Sequence, residues 1–97
     1  MIYHVTSMAA WEEALTKGSY EAASLHTEGF IHNSTIDQVP GVLERYYTGQ
    51  TGLIVLHIDE TLLEAPLRYE LAPSVNEMFP HIFGPININA VVKTETL

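Results

Sequence analysis

Three of the five histidines in this chain, His4, His32 and His81, lie in or beside apolar segments. An imidazole in such a place needs a hydrogen-bond partner, and a satisfied structural histidine is the commoner outcome. The neighbours of two of them point further. In Tyr3-His4-Val5-Thr6 an imidazole and a hydroxyl stand two positions apart, on one face of an extended segment. His32-Asn33-Ser34-Thr35 repeats the pairing where an extended segment opens into a helix. Imidazole and Ser/Thr groups suit sugar hydroxyls and phosphate oxygens, because they give directional hydrogen bonds without a fixed charge. The free N–H groups of a helix start favour an anion. Ser34 equally fits a plain helix cap, the more usual role for that residue type. His57, inside an apolar run, reads as structural, and His26 as a solvated loop residue.

Arg68 and Glu70 form the other notable pair. A guanidinium fork suits phosphate or carboxylate. A carboxylate can steady a developing positive charge or act as a base. An exposed ion pair on a strand face is the commoner reading of such a pair, and it stabilises by under ~1 kcal/mol. Three histidines with Glu70 are a conceivable metal set, but no HxH or HExxH spacing supports it, so no metal is expected. There is no glycine-rich phosphate loop and no nucleophile elbow.

The elements that must position these groups follow from patterning. Residues 2–5 read as a first strand, and Ser7 caps a helix with Trp11, Ala14 and Leu15 on one face. Glu12 and Glu13 lie in its early turns, and Lys17-Gly18 ends it. Residues 20–25 read as loop or short strand, and residues 30–32 as a short β segment. Ser34 or Thr35 caps a second helix with Ile36, Val39, Val42, Leu43 and Tyr46 as its stripe; Pro40 belongs in its first turn or splits it. After a turn at residues 49–52, the run LIVLHI (Leu53–Ile58) is apolar throughout enough to be a central strand covered on both faces. Residues 59–63 make a helical turn. Residues 67–71 alternate as a strand, with Arg68 and Glu70 on one face. Residues 79–85 (FPHIFGP) read as loop or short strand, and residues 86–92 as the final strand. Five or six strands with two helices, both in the first half, give an α+β domain rather than alternating βαβ units.

Composition narrows the function. The 97 residues fit a single domain, 1–97. Four basic against 12 acidic residues leave a net charge of −8, which argues against a surface that tracks nucleic-acid phosphates. The absence of cysteine excludes disulfides, thiol nucleophiles and cysteine-held metals. There is no run of about 18 apolar residues, so no membrane partner is expected. The opening Met-Ile-Tyr-His-Val-Thr lacks the basic and apolar regions of a secretion signal, so a cytoplasmic location is expected.

Four segments in order, IYHVT (2–6), GFIHNS (29–34), LRYE (67–70) and FPHIFGP (79–85), resemble the small bacterial family called domain of unknown function 952, over nearly the whole chain. That resemblance implies an ADP-ribosyltransferase-like α+β fold, with two small sheets and helices drawn from the N-terminal half. The chain is also similar to the catalytic half of NAD-dependent RNA 2′-phosphotransferases, whose His-Gly-Thr and His-Leu-Ser motifs fall in the order of His4-Val5-Thr6 and His32-Asn33-Ser34. The resemblance implies that His4 and Thr6 hold the ADP-ribose part of NAD, and that His32 and Ser34 contact a nucleotide or phosphate. Arg68 and His81 join them as binding candidates, and Glu70 and His32 are the catalytic candidates. Val5 replaces the glycine of the first motif, and Glu28 stands near the place of an arginine. The second change removes a phosphate-binding charge and argues against 2′-phosphotransfer. The RNA-binding domain of those enzymes has no counterpart here. Three expectations follow: an ADP-ribosyl-transfer enzyme acting on NAD, a non-catalytic module for a nucleotide or small metabolite, or an interaction domain whose histidines are structural.

Overall fold

A computed structural model describes all of residues 1–97. The chain opens with strand β1 (Ile2–Ser7), and helix α1 (Met8–Lys17) follows directly. The Ser7 hydroxyl accepts a hydrogen bond from the Ala10 amide at 3.1 Å, capping α1 as its sequence predicts. Gly18 ends α1 at φ 99°, a left-handed turn that a side chain would strain. Glu12 and Glu13 fall in the second turn rather than the first, so they add little at the positive end of the helix.

Residues 20–25 resolve into β2 (Ser19–Tyr20) and the start of a short helix α2 (Ala23–Thr27), followed by β3 (Ile31–His32). Thr35, not Ser34, opens the next helical segment: its amide donates to the Gln38 side chain at 3.0 Å. Pro40 lies in the first turn of α3 (Val39–Tyr46), where a proline costs no hydrogen bond, and residues Ile36–Gln38 form a separate 3-10 turn before it. The expected apolar stripe is only partly covered, since Ile36 and Tyr46 are exposed.

The second half supplies β4 (Leu53–Ile58), β5 (Leu67–Ala72), β6 (Glu77–Ile82), β7 (Ile86–Asn87) and β8 (Val91–Thr96). The final strand expected at residues 86–92 is thus two strands with a turn between them. Asn87 is the reason. Its amide nitrogen donates to the Leu62 carbonyl at 2.9 Å and to the Asn89 side chain at 2.6 Å, and its oxygen accepts from the Glu64 amide at 3.1 Å. Those bonds compete with ladder pairing and turn the chain at residues Ile88–Ala90.

All pairing is antiparallel, in three small sheets ordered β1-β4-β8, β2-β7 and β3-β6-β5, one more sheet than expected. The additional sheet is the two-residue pair of Ser19–Tyr20 with Ile86–Asn87. The result is a mixed fold of small sheets with few helices. Strand β4 is central, and both its faces are covered. Ile54, Leu56 and Ile58 enter the main core with Ile2, Ile31 and Ile82, while Leu53 and Val55 pack with Val5 under Leu43 and Tyr47. Pro80 sits inside the middle strand β6, a rare place for proline. Its carbonyl accepts from the Asn33 amide at 3.0 Å, so the missing N–H points to the same edge, where β3 has already ended at His32. The proline costs no ladder bond.

Leu56 has no solvent exposure and stands at the centre of the main core. Leu56→Ala is expected to cost about 2–5 kcal/mol in denaturant unfolding; a loss under about 1 kcal/mol would place the core elsewhere.

Candidate functional site

The two three-stranded sheets meet where β1 passes the end of β3. The Tyr3 amide donates to the Ser34 carbonyl at 2.8 Å, and the Ser34 amide returns a bond to the Tyr3 carbonyl at 2.7 Å. His4, the next residue, reinforces this seam. Its Nδ1 lies 2.6 Å from the His32 carbonyl oxygen and its Nε2 2.8 Å from the Tyr20 hydroxyl. The carbonyl can only accept, so Nδ1 carries the proton. Burial is the main influence on the ring and lowers its pKa from 6.5 to about 4, against the raising effect of the bond to His32; the nearby His32 ring lowers it further. The neutral ring therefore accepts at Nε2 from Tyr20. The phenol has a single proton, so its 2.9 Å contact with Thr6 Oγ1 is one in which Thr6 donates. Burial also raises the Tyr20 pKa, which keeps that proton in place. Both nitrogens of His4 are thus engaged inside the protein, and Thr6 is buried beside it.

The outer face of the β3-β6-β5 sheet carries the other candidates. The register sets Arg68 opposite His81 and His81 opposite His32, so the three side chains form one row across the sheet. The reverse face, with Ile31, Ile82 and Leu67, packs on the core. Each histidine of the row is held by a carboxylate: His81 Nδ1 is 2.7 Å from Glu70 Oε1, and His32 Nε2 is 2.7 Å from Glu28 Oε2. Phe30 lies flat on the His81 ring, centroids 4.1 Å apart and planes at 17°, and meets His32 edge-on at 4.9 Å. The two imidazoles are themselves 5.3 Å apart. Arg68 is stationed over the Phe83 ring, 5.4 Å from its centroid.

Between this face, the β1 edge and α3 runs a cleft of about 550 Å³. His4, His32, Ser34 and His81 all border it, whereas Thr6, Arg68 and Glu70 do not. Glu70 reaches the cleft only through His81. Much of the wall is aromatic, from Tyr3, Tyr46, Tyr47 and Phe79, none of which the sequence reading took as a site residue. Phe30 was equally missed, although its place two residues before His32 puts both on one face. Asn33 also borders the cleft, and its buried Oδ1 has no hydrogen-bond partner. Its Nδ2 is fixed on the Ile31 carbonyl at 2.9 Å. No group of three or more His, Cys, Asp or Glu side chains is arranged to hold a metal ion. Chemically, the arrangement offers imidazoles braced by carboxylates, a hydroxyl at Ser34, and flat aromatic surface.

The neutral state of His4 has a measurable consequence. Between pH 6.5 and about 4 the unfolded chain binds a proton there and the folded chain does not. Its contribution is complete above about pH 6.5 and is lost as the pH falls towards 4, by roughly 3 kcal/mol in all. The urea midpoint of the native protein is expected to fall more steeply over this range than that of His4→Gln. Parallel slopes would contradict the assignment.

Two solved structures of the protein CC0527 from Caulobacter crescentus are similar to this chain. The crystal structure is 28% identical, with a TM-score of 0.88 over 97% of this chain and 82% of that one. The solution NMR structure is 29% identical, with a TM-score of 0.84 over 99% and 83%. No curated protein matches the chain. No helix is long and apolar enough to cross a membrane. Residues 5–94 match the family model described as protein of unknown function (DUF952). With nearly its whole length matched, the segments 29–34, 67–70 and 79–85 included, this chain belongs to the DUF952 family.

Proposed function

We propose that the cleft takes a nucleotide of the NAD type and that its reaction is transfer of the ADP-ribosyl group, on an ADP-ribosyltransferase-like form of this fold. The observation that carries the reading is the convergence of two carboxylate-held imidazoles and an aromatic wall on one cleft of about 550 Å³. That volume lies within the range of ordinary small-ligand sites, and tyrosine and phenylalanine faces suit a heteroaromatic ring.

NAD is here a substrate, consumed rather than retained. His32 and Ser34 supply directional contacts to ribose or phosphate oxygens. Arg68, at the end of the histidine row, is the guanidinium placed to meet a phosphate beyond the cleft. His4 and Thr6 act from behind the wall: with both ring nitrogens engaged, His4 sets the position of the His32 backbone instead of touching ligand. As the bond to nicotinamide breaks, positive charge builds on the ribose. The Glu70 carboxylate, set behind His81, contributes the negative potential that stabilises it. The same pairing favours a second reading. A carboxylate already satisfied by His81 is compatible with a module that binds nucleotide without turning it over.

Thermal denaturation with NAD, ADP-ribose and AMP, followed by assay of nicotinamide release, separates these readings. A rise of several degrees at saturating ligand is expected for the native protein, and its loss in His32→Ala. Nicotinamide release that disappears in Glu70→Gln while the thermal rise remains supports transfer. A rise without release at any pH supports the binding module. No rise with any nucleotide overturns both.

A further inference from the structure

We infer that His81 is the general base of this cleft, positioned by Glu70, and that the group it deprotonates is the hydroxyl of the acceptor or of water. The inference rests on the transfer reading and adds to it the class of acceptor.

The hydrogen bonding of His81 assigns its protons. Glu70 Oε1 lies 2.7 Å from Nδ1, and an ionised carboxylate only accepts, so Nδ1 carries the proton. In the neutral form that a base requires, the ring then has a bare lone pair on Nε2. That nitrogen has no hydrogen-bond partner within the protein, yet it is not among the sealed polar atoms, and His81 borders the cleft. The ring is 9% exposed and cannot swing freely. Phe30 covers one face, and His32 stands edge-on at 5.3 Å. A buried, clamped imidazole with one nitrogen on a carboxylate and the other open to a cleft is the arrangement that general-base catalysis requires. The same tautomer makes His81 a poor anchor for a phosphate, which needs a donor at Nε2. His32 differs: its Nε2 faces Glu28, its ring is 55% exposed, and its contacts leave it freer to adapt to ligand.

The strength of such a base selects the acceptor. A carboxylate acceptor is already ionised and needs no base. An arginine side chain holds its proton too tightly for an imidazole to remove. A hydroxyl, whose proton becomes acidic as its oxygen bonds to carbon, is matched to an imidazole. In the step proposed, the acceptor oxygen forms a bond to the ribose C1′ of NAD. The C1′–N bond breaks, and nicotinamide leaves as a neutral molecule with that electron pair. The hydroxyl proton passes to His81 Nε2, and Glu70 stabilises the resulting imidazolium. With water as acceptor, the products are ADP-ribose, nicotinamide and one proton.

Two measurements test this on the full chain. Nitrogen-15 spectra of histidine-labelled protein are expected to give His81 as the Nδ1–H tautomer, with that preference lost in Glu70→Ala. An Nε2–H tautomer in the native protein would overturn the inference. At saturating NAD, His81→Ala is expected to slow nicotinamide release by about 100-fold or more, with the NAD-induced thermal rise kept and part of the rate restored by added imidazole. His81→Asn serves the same test should the alanine variant not fold. Release within threefold of the native rate would overturn the base assignment. Failure of NAD to stabilise the native protein would instead overturn the nucleotide reading, while the tautomer result still decides whether the dyad exists.

Discussion

The contact on which the site depends is the one between the His4 ring and the His32 carbonyl, alongside the two backbone bonds that join Tyr3 to Ser34. These are the bonds that hold the β1-β4-β8 sheet to the β3-β6-β5 sheet at the cleft. A strand of two residues such as β3 has too few ladder bonds to hold its own place. It is held from one side by β6 and from the other by this seam. Because His4 is buried and neutral, its bond to the carbonyl is not weakened by water; Tyr20 completes its hydrogen bonding, and Thr6 in turn bonds Tyr20. The cleft is the space left where the two sheets diverge from the seam.

The β3-β6-β5 sheet divides its labour by face. Ile31 and Ile82 are buried and Leu67 half-buried on one side, so the register of the three strands cannot slip by a residue without turning His32, His81 and Arg68 towards the core in their place. The hydrophobic core therefore enforces the polar row. The row in turn is electrostatically balanced: Glu70 and Glu28 answer the imidazoles, and Phe30 and Phe83 cover the flat faces of His81 and Arg68. In a chain of net charge −8, this face carries one guanidinium, two imidazoles and the two carboxylates that hold them.

Much of the scaffold was legible in the residues. Ser7 and Gly18 bracket α1, LIVLHI is the central strand, and alternation put Arg68 and Glu70 on a common face. Strand β8 was not legible over its full length. Lys93, Thr94, Glu95 and Thr96 lie on an exposed edge strand, which carries no apolar alternation to detect. The side-chain bonds of Asn87 interrupted the strand read there. For the site, residue types could mark His4, His32 and His81 as unusual, but not what each does. The partner of His4 is a carbonyl 28 positions away, and the pairing of Glu70 with His81 depends on the register of a hairpin. Tyr46 read as ordinary packing on the stripe of α3, and nothing in the type or spacing of Tyr3 and Tyr47 set them apart as wall residues.

The most direct measurement is a crystal structure of the protein soaked with ADP-ribose. The account predicts the ligand in the cleft beside the seam, its ring against the tyrosine wall and its oxygens within hydrogen-bond distance of the His32 and Ser34 side chains. ADP-ribose bound on another surface, with the cleft unchanged at full ligand saturation, would contradict it.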